Sequence, residues 1–73
     1  MNKKPEQIRL TSDFIELGQF LKYVGLIQTG GEAKAYLKNE EVFINGELDQ
    51  RRGRKLRVND VIVTSDRMFQ IVD

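Results

Sequence analysis

The chain has neither histidine nor cysteine. That removes the usual general base, the commonest metal ligand and any thiolate nucleophile. Carboxylates are plentiful, but no spacing places two of them in a defined acid–base pair. The glycines do not form a phosphate loop with the lysine and serine such a loop requires. No catalysis, metal site, cofactor or small-molecule substrate is expected. What remains is cationic chemistry, and it is concentrated. Arg51, Arg52, Arg54, Lys55 and Arg57 are five of the 12 lysines and arginines, and no acidic residue lies between Asp49 and Asp60. Such a run binds phosphate by charge, and arginine adds bidentate geometry and stacking on bases. Gly53 lets the run bend closely against a polyanion backbone. The plainer alternative is a solvated loop whose charges serve solubility.

Further candidates lie upstream. Thr29-Gly30-Gly31 precedes an apolar helical pattern, and the amides at a helix start form a small anion site that glycines leave open. A merely capped turn is the competing reading, and the negative charge of Glu32 supports it. Lys34 and Lys38 are one helical turn apart and would extend a positive surface, with Lys22 adding to it from the preceding helix. Equally, they read as an ordinary solvated face. Tyr23 falls off the core stripe of its helix, where it either stacks on a base or covers the edge of the core. Tyr36 reads as core, and Asn45 as a turn residue.

The elements that would position these residues follow from periodicity. Residues 1–5 read as a flexible tail. Gln7 to Leu10 alternates as a short strand, and Phe14 and Ile15 are expected to be extended and buried. Leu17, Phe20, Leu21 and Val24 follow the i, i+3, i+4, i+7 pattern of an amphipathic helix, with Gly25 as its left-handed terminator. Gly18 weakens that helix by up to ~1 kcal/mol relative to alanine, so packing must hold it. Thr29 with Glu32 has the capping-box spacing for a second helix over 30–38, with Ala33, Tyr36 and Leu37 inward and Asn39 as terminator. Val42 to Ile44 is a strand, Asn45-Gly46 a two-residue hairpin turn, and Glu47-Leu48 its return. Asp49 to Gly53 is a loop. Leu56 and Val58 point inward, Asn59-Asp60 turns, and Val61–Thr64 and Met68–Val72 pair as strands. The sum is α+β: two helices packed on a small twisted, mainly antiparallel sheet.

Seventy-three residues, 40% of them hydrophobic, make a single domain with a compact core. No apolar run approaches the ~20 residues of a membrane span, so no membrane association is expected. The charged start MNKKPEQ is not followed by an apolar segment, so no signal peptide is read. A soluble, cytoplasmic monomer is the expectation. The net charge of +1 is low for a nucleic-acid binder, but it is local patches that drive binding.

In order and spacing, FLKYVGLIQTGGEAKAYLKNEEVFINGE followed by RRGRKLRVNDVI resembles the RNA-binding domain named after the fourth protein of the small ribosomal subunit, also called the alpha-L motif. The similarity spans residues 17–63 as the family core. Its markers are Gly25-Leu26, Ala33, Val42-Phe43-Ile44-Asn45-Gly46 and Val58-Asn59-Asp60-Val61. The terminal strands and the basic run make the chain similar to small stand-alone bacterial members. The resemblance implies an RNA-binding surface built from the two helices and the following hairpin, with RNA, chiefly ribosomal RNA or ribosomal subunits, as partner. Two positions depart from the pattern. A glycine stands where many members have arginine at the start of the second helix, which moves a phosphate contact there from side chain to backbone. Asn59 replaces a common glycine and still permits the turn. The implied contacts are Arg51, Arg52, Arg54 and Lys55, with Lys22, Thr29, Gly30, Gly31, Lys34 and Lys38. The alternatives are a protein-interaction module docking an acidic partner, which the near-neutral charge favours, and DNA binding. Reversing Arg51 and Arg52 to Glu is expected to abolish RNA binding without unfolding the chain; normal affinity of a folded double variant in an electrophoretic shift assay would contradict this.

Overall fold

The computed structural model describes residues 4–73. The expected tail over 1–5 therefore falls, for residues 1–3, outside the described residues, and Lys4 and Pro5 precede the first strand without regular structure. The element order is β1 (Glu6–Arg9), β2 (Ile15–Glu16), α1 (Leu17–Tyr23), a 3₁₀ turn (Gly30–Glu32), α2 (Ala33–Asn39), β3 (Phe43–Ile44), β4 (Glu47–Leu48), β5 (Lys55–Leu56), β6 (Val61–Val63) and β7 (Met68–Val72). Five strands form one mixed sheet in the order β1-β7-β6-β3-β4, and β2 pairs with β5 as a separate antiparallel ribbon. The main sheet is antiparallel except where β1 runs parallel to β7.

The expected α+β architecture is therefore observed, with two helices packed against a mainly antiparallel sheet. Both helices have seven residues, too few to persist alone in water. Burial holds them. Leu17, Phe20 and Leu21 of α1 and Ala33 and Leu37 of α2 pack with Val42, Ile44, Leu56, Ile62, Phe69 and Ile71 in one core. Along β7 only Phe69 and Ile71 are fully buried, as the two-residue period of a strand requires. Phe20 meets Phe69 edge to face, with ring centroids 5.1 Å apart, the arrangement that brings the positive ring edge onto the negative face.

Chain reversals follow the sequence signals closely. Gly25 (φ 84°) ends α1, and Asn45 (φ 53°) with Gly46 (φ 87°) makes the hairpin between β3 and β4. Asn59 (φ 80°) adopts the left-handed conformation expected of it. The Asn45 side chain also ties two turns together. Its Nδ2 donates to Asp60 Oδ1 at 3.0 Å, and its Oδ1 accepts from the Val61 N–H at 2.9 Å. Asp60 in turn accepts the Arg57 N–H at 2.8 Å. The turn role read from the sequence is thus extended by a hydrogen-bonded link between the hairpin and the end of the basic segment.

Two expectations are corrected. Phe14 is not buried but 37% exposed. Ile15 packs against the core, and successive side chains of an extended segment point to opposite sides, so Phe14 faces outward. The second helix does not begin at Gly30. Residues 30–32 form a 3₁₀ turn and α-helical bonding starts at Ala33, consistent with the high entropic cost of fixing two glycines in a helix. Replacing Asn45 by alanine removes two hydrogen bonds and puts at positive φ a residue without asparagine's tolerance of the left-handed region. It is expected to lower the unfolding free energy by about 1–3 kcal/mol, measured as a lower urea midpoint with unchanged m-value.

Candidate nucleic-acid interface

The basic segment is anchored at both its backbone and its side chains. The first amides of a helix have no intrahelical acceptor. In α1 the Leu17 N–H donates to the Arg54 carbonyl at 2.7 Å, and the Gly18 N–H donates to the Arg52 carbonyl at 2.8 Å. The loop therefore closes the end of the helix. The packing at residue 18 is close: a β-carbon there would lie in contact, 3.4 Å from the Ala33 β-carbon, the Arg52 β-carbon and the Arg52 carbonyl oxygen. The glycine that looked unfavourable by helix propensity is the point where α1, α2 and the loop converge.

Asp49 holds the other side. It is 7% exposed. Its Oδ1 accepts the Arg51 N–H at 2.9 Å and Nε at 3.1 Å, and its Oδ2 accepts Arg51 Nη2 at 2.7 Å and Arg54 Nη1 at 2.9 Å. The Arg51 guanidinium thus binds the carboxylate in bidentate fashion. These hydrogen bonds, those of the Arg51 side chain foremost, hold the Asp49 carboxyl far below the usual carboxylate range despite its burial. Arg51 remains 72% exposed along its side chain, and Arg54 26%. Arg51 can therefore still meet an anion, whereas Arg54 is largely committed to the loop.

The candidate residues fall into two adjoining grooves, with four of them outside both. Lys22, Gly30, Arg52 and Gly53 line one groove together with Gly18 and Ala33, and the Glu16 carboxylate lies on its lining as well, leaving two cations against one acid. Arg51, Gly53, Arg54, Lys55 and Arg57 line the next. Gly53 is common to both. Lys34 and Lys38 are exposed on α2 but line neither groove. Thr29 and Gly31 also lie outside them. Around Thr29 the Glu32 carboxylate accepts the N–H groups of Thr29 (2.8 Å) and Gln28 (3.0 Å), which lowers the Glu32 pKa. The capped-turn reading thus describes the geometry at Thr29, while Gly30 itself belongs to the first groove.

Three participants were not singled out as site residues from sequence. Asp49 reads from sequence only as the start of a loop, although an aspartate accepting the backbone N–H two residues on, as it does from Arg51, is a common local turn. Arg57 was counted in the basic run but not among its contacts, yet it lines the second groove. Phe14 was assigned to the core, whereas its ring carries the Lys55 ammonium at 5.0 Å and the Arg57 guanidinium at 5.6 Å from the centroid, within cation–π range. No sequence signal connects residue 14 with residues 55 and 57; the β2–β5 pairing does so by setting Ile15 opposite Leu56.

This fold and surface define a class. Residues 8–72 match the family model of the S4 domain, and the chain belongs to that family. The match extends past the 17–63 core expected from sequence and takes in β1 and β7. The chain is also 48% identical over 67 residues to the probable ribosome maturation protein RlbA of Bacillus subtilis (strain 168), an alignment covering 90% of this chain and 94% of that protein. Among the described residues, no group of three or more carboxylates is placed to hold a metal ion, and no helix is long and apolar enough to cross a membrane.

Asp49→Asn should weaken the arginine clamp and lower stability at pH 7 by about 1–3 kcal/mol. Because the folded-state pKa of Asp49 is depressed, its contribution is complete above the unfolded carboxylate range and is lost as pH falls below it. The stability gap between the two proteins in urea titrations should therefore narrow as pH falls from about 5 to about 2.

Proposed function

We propose that this S4-domain protein is a non-catalytic binder of structured RNA, with ribosomal RNA in maturing or assembled subunits as its target. It acts as a cytoplasmic monomer with no small-molecule substrate. The observation that carries the reading is the docking of the Arg52-Gly53 segment on Gly18. It sets Lys22 and Arg52 in one groove and Arg51, Arg54, Lys55 and Arg57 in the groove beside it. Two adjoining cationic grooves suit two stretches of phosphate backbone, and a rigid spacing between them selects RNA shape rather than sequence. Family membership supports RNA as the polymer, and the name carried by the Bacillus relative supports the ribosome as its location.

The contacts are electrostatic and release counterions. Arg52 and Lys55 lie outside the arginine clamp on Asp49, and Lys55 also sits over the Phe14 ring, so neither charge is paired with a carboxylate there and both can meet phosphate. Arg51 contributes through its exposed edge. Lys34 and Lys38 supply long-range attraction from α2. The near-zero net charge is compatible with this mechanism because potential within about 10 Å governs binding at ordinary salt.

Titration against ribosomal subunits and against a plain RNA duplex at several salt concentrations tests the reading. With about four phosphates neutralised, log affinity should fall against log salt with a slope of about −3 to −4, and subunits should be preferred. Arg52→Glu should weaken binding and make the slope shallower by at least ~1. Absence of binding to either RNA at low salt would overturn the proposal and point to an acidic protein partner.

A further inference from the structure

Beside the two cationic grooves lies a third, of different character. It runs between the end of β1, the following turn and α1. Ile8 and Ile15 form an apolar floor, Phe14 and Tyr23 are aromatic walls, and Arg9 and Lys22 stand at its margins. Ile8 and Ile15 are partly buried against the core. Tyr23 is 67% exposed and Phe14 37%, so both present ring surface to solvent. The turn that delivers Phe14 is braced by the Ser12 hydroxyl, which donates to the Phe14 carbonyl at 2.9 Å. Among the described residues lining this groove, none is acidic.

The groove is joined to the cationic surface at two points. Lys22 lines both this groove and the one that contains Arg52. Phe14 carries Lys55 and Arg57 over its ring, and those two cations line the second cationic groove. A ligand seated here thus has flat aromatic faces for a planar apolar body and cations at the margins for an anion attached to it. A nucleotide has that combination. A regular duplex does not, because its bases are stacked on one another and offer only their edges.

We propose that this groove takes one unpaired nucleobase of the bound RNA, stacked on Tyr23 or Phe14, while Lys22 and the Lys55–Arg57 pair hold the flanking phosphates. The proposal rests on the RNA-binding reading above and adds to it a preference for RNA with an extruded nucleotide. Stacking of a base on an exposed aromatic side chain is worth roughly 5- to 100-fold in affinity. In this proposal Tyr23, which lines the groove, is a ligand contact, the first of the two roles its position off the core stripe left open.

Two RNA hairpins test this, identical except that one carries a single bulged nucleotide. The wild-type protein should prefer the bulged hairpin by about 5-fold or more. Tyr23→Ala and Phe14→Leu should each reduce that preference, and Tyr23→Ala should do so without changing affinity for the paired hairpin or its salt dependence. Arg52→Glu should weaken both hairpins alike. In the wild-type protein the Tyr23 ring signals in an NMR titration should shift with the bulged hairpin and not with the paired one, a readout that does not depend on the variants folding. Equal binding of the two hairpins by the wild type would overturn the base site and leave RNA binding standing. A preference retained in both variants would also overturn it, as would displacement of the Tyr23 signals by a polyglutamate peptide alone. Failure to bind either hairpin at low salt would remove the RNA reading itself, and this inference with it.

Discussion

The pair of hydrogen bonds from the Leu17 and Gly18 amides to the Arg54 and Arg52 carbonyls is the contact on which the presentation of the basic segment depends. Both partners gain from it. A seven-residue helix has a large share of its amides at its open end, and a loop has carbonyls that need donors; each satisfies the other. The contact requires the loop backbone to lie against the helix, and a β-carbon at residue 18 would already touch the loop at Arg52 and α2 at Ala33, so no room is left there for a longer side chain. Helix packing, loop conformation and the placement of Arg52 are therefore one constraint. A larger residue at 18 would push Arg52 away from Lys22 and Gly30, with which it shares a groove.

Asp49 adds a second constraint of opposite sign to the charge it organises. It offsets one positive charge of the segment, but its bonds to Arg51 and Arg54 order two long side chains before any ligand arrives. Ordering such side chains costs on the order of 1–2 kcal/mol each in rotamer freedom, so a pre-formed clamp reduces what binding itself must supply. At the far end of the segment, Asp60 accepts the Arg57 amide and is itself held by Asn45. Acidic residues thus bracket the basic run at both ends as structural partners.

Much of the architecture was legible in the sequence because the signals were local. The i, i+3, i+4, i+7 stripe of α1, the left-handed residues Gly25, Asn45, Gly46 and Asn59, and the alternation in β7 each depend on a few adjacent residues. What was not legible depended on pairing across the chain. The parallel β1–β7 ladder joins the two ends of the described chain, and nothing in Gln7–Leu10 specifies its partner. The β2–β5 ribbon brings Phe14 to Lys55 and Arg57, so an apolar residue that looked like core became part of the surface. Gly18 reads from sequence as a weak helix former and Asp49 as the start of a loop, whereas each acts through residues more than one element away or in the turn that follows. The glycines at 30 and 31 illustrate a limit of motif reading. Their capping-box context was correct, but Glu32 is the anion that sits at that turn.

The central claim is that one continuous surface, from Lys22 and Tyr23 on α1 across Arg52 and Gly53 to Lys55 and Arg57, meets RNA while the open sheet does not. Backbone amide shift mapping of the labelled protein during titration with a ribosomal RNA fragment tests it most directly. The largest perturbations are predicted at residues 14, 22–23 and 51–57, with β6 and β7 little changed. Perturbations concentrated on residues 61–72, with the 51–57 segment unmoved, would contradict the account.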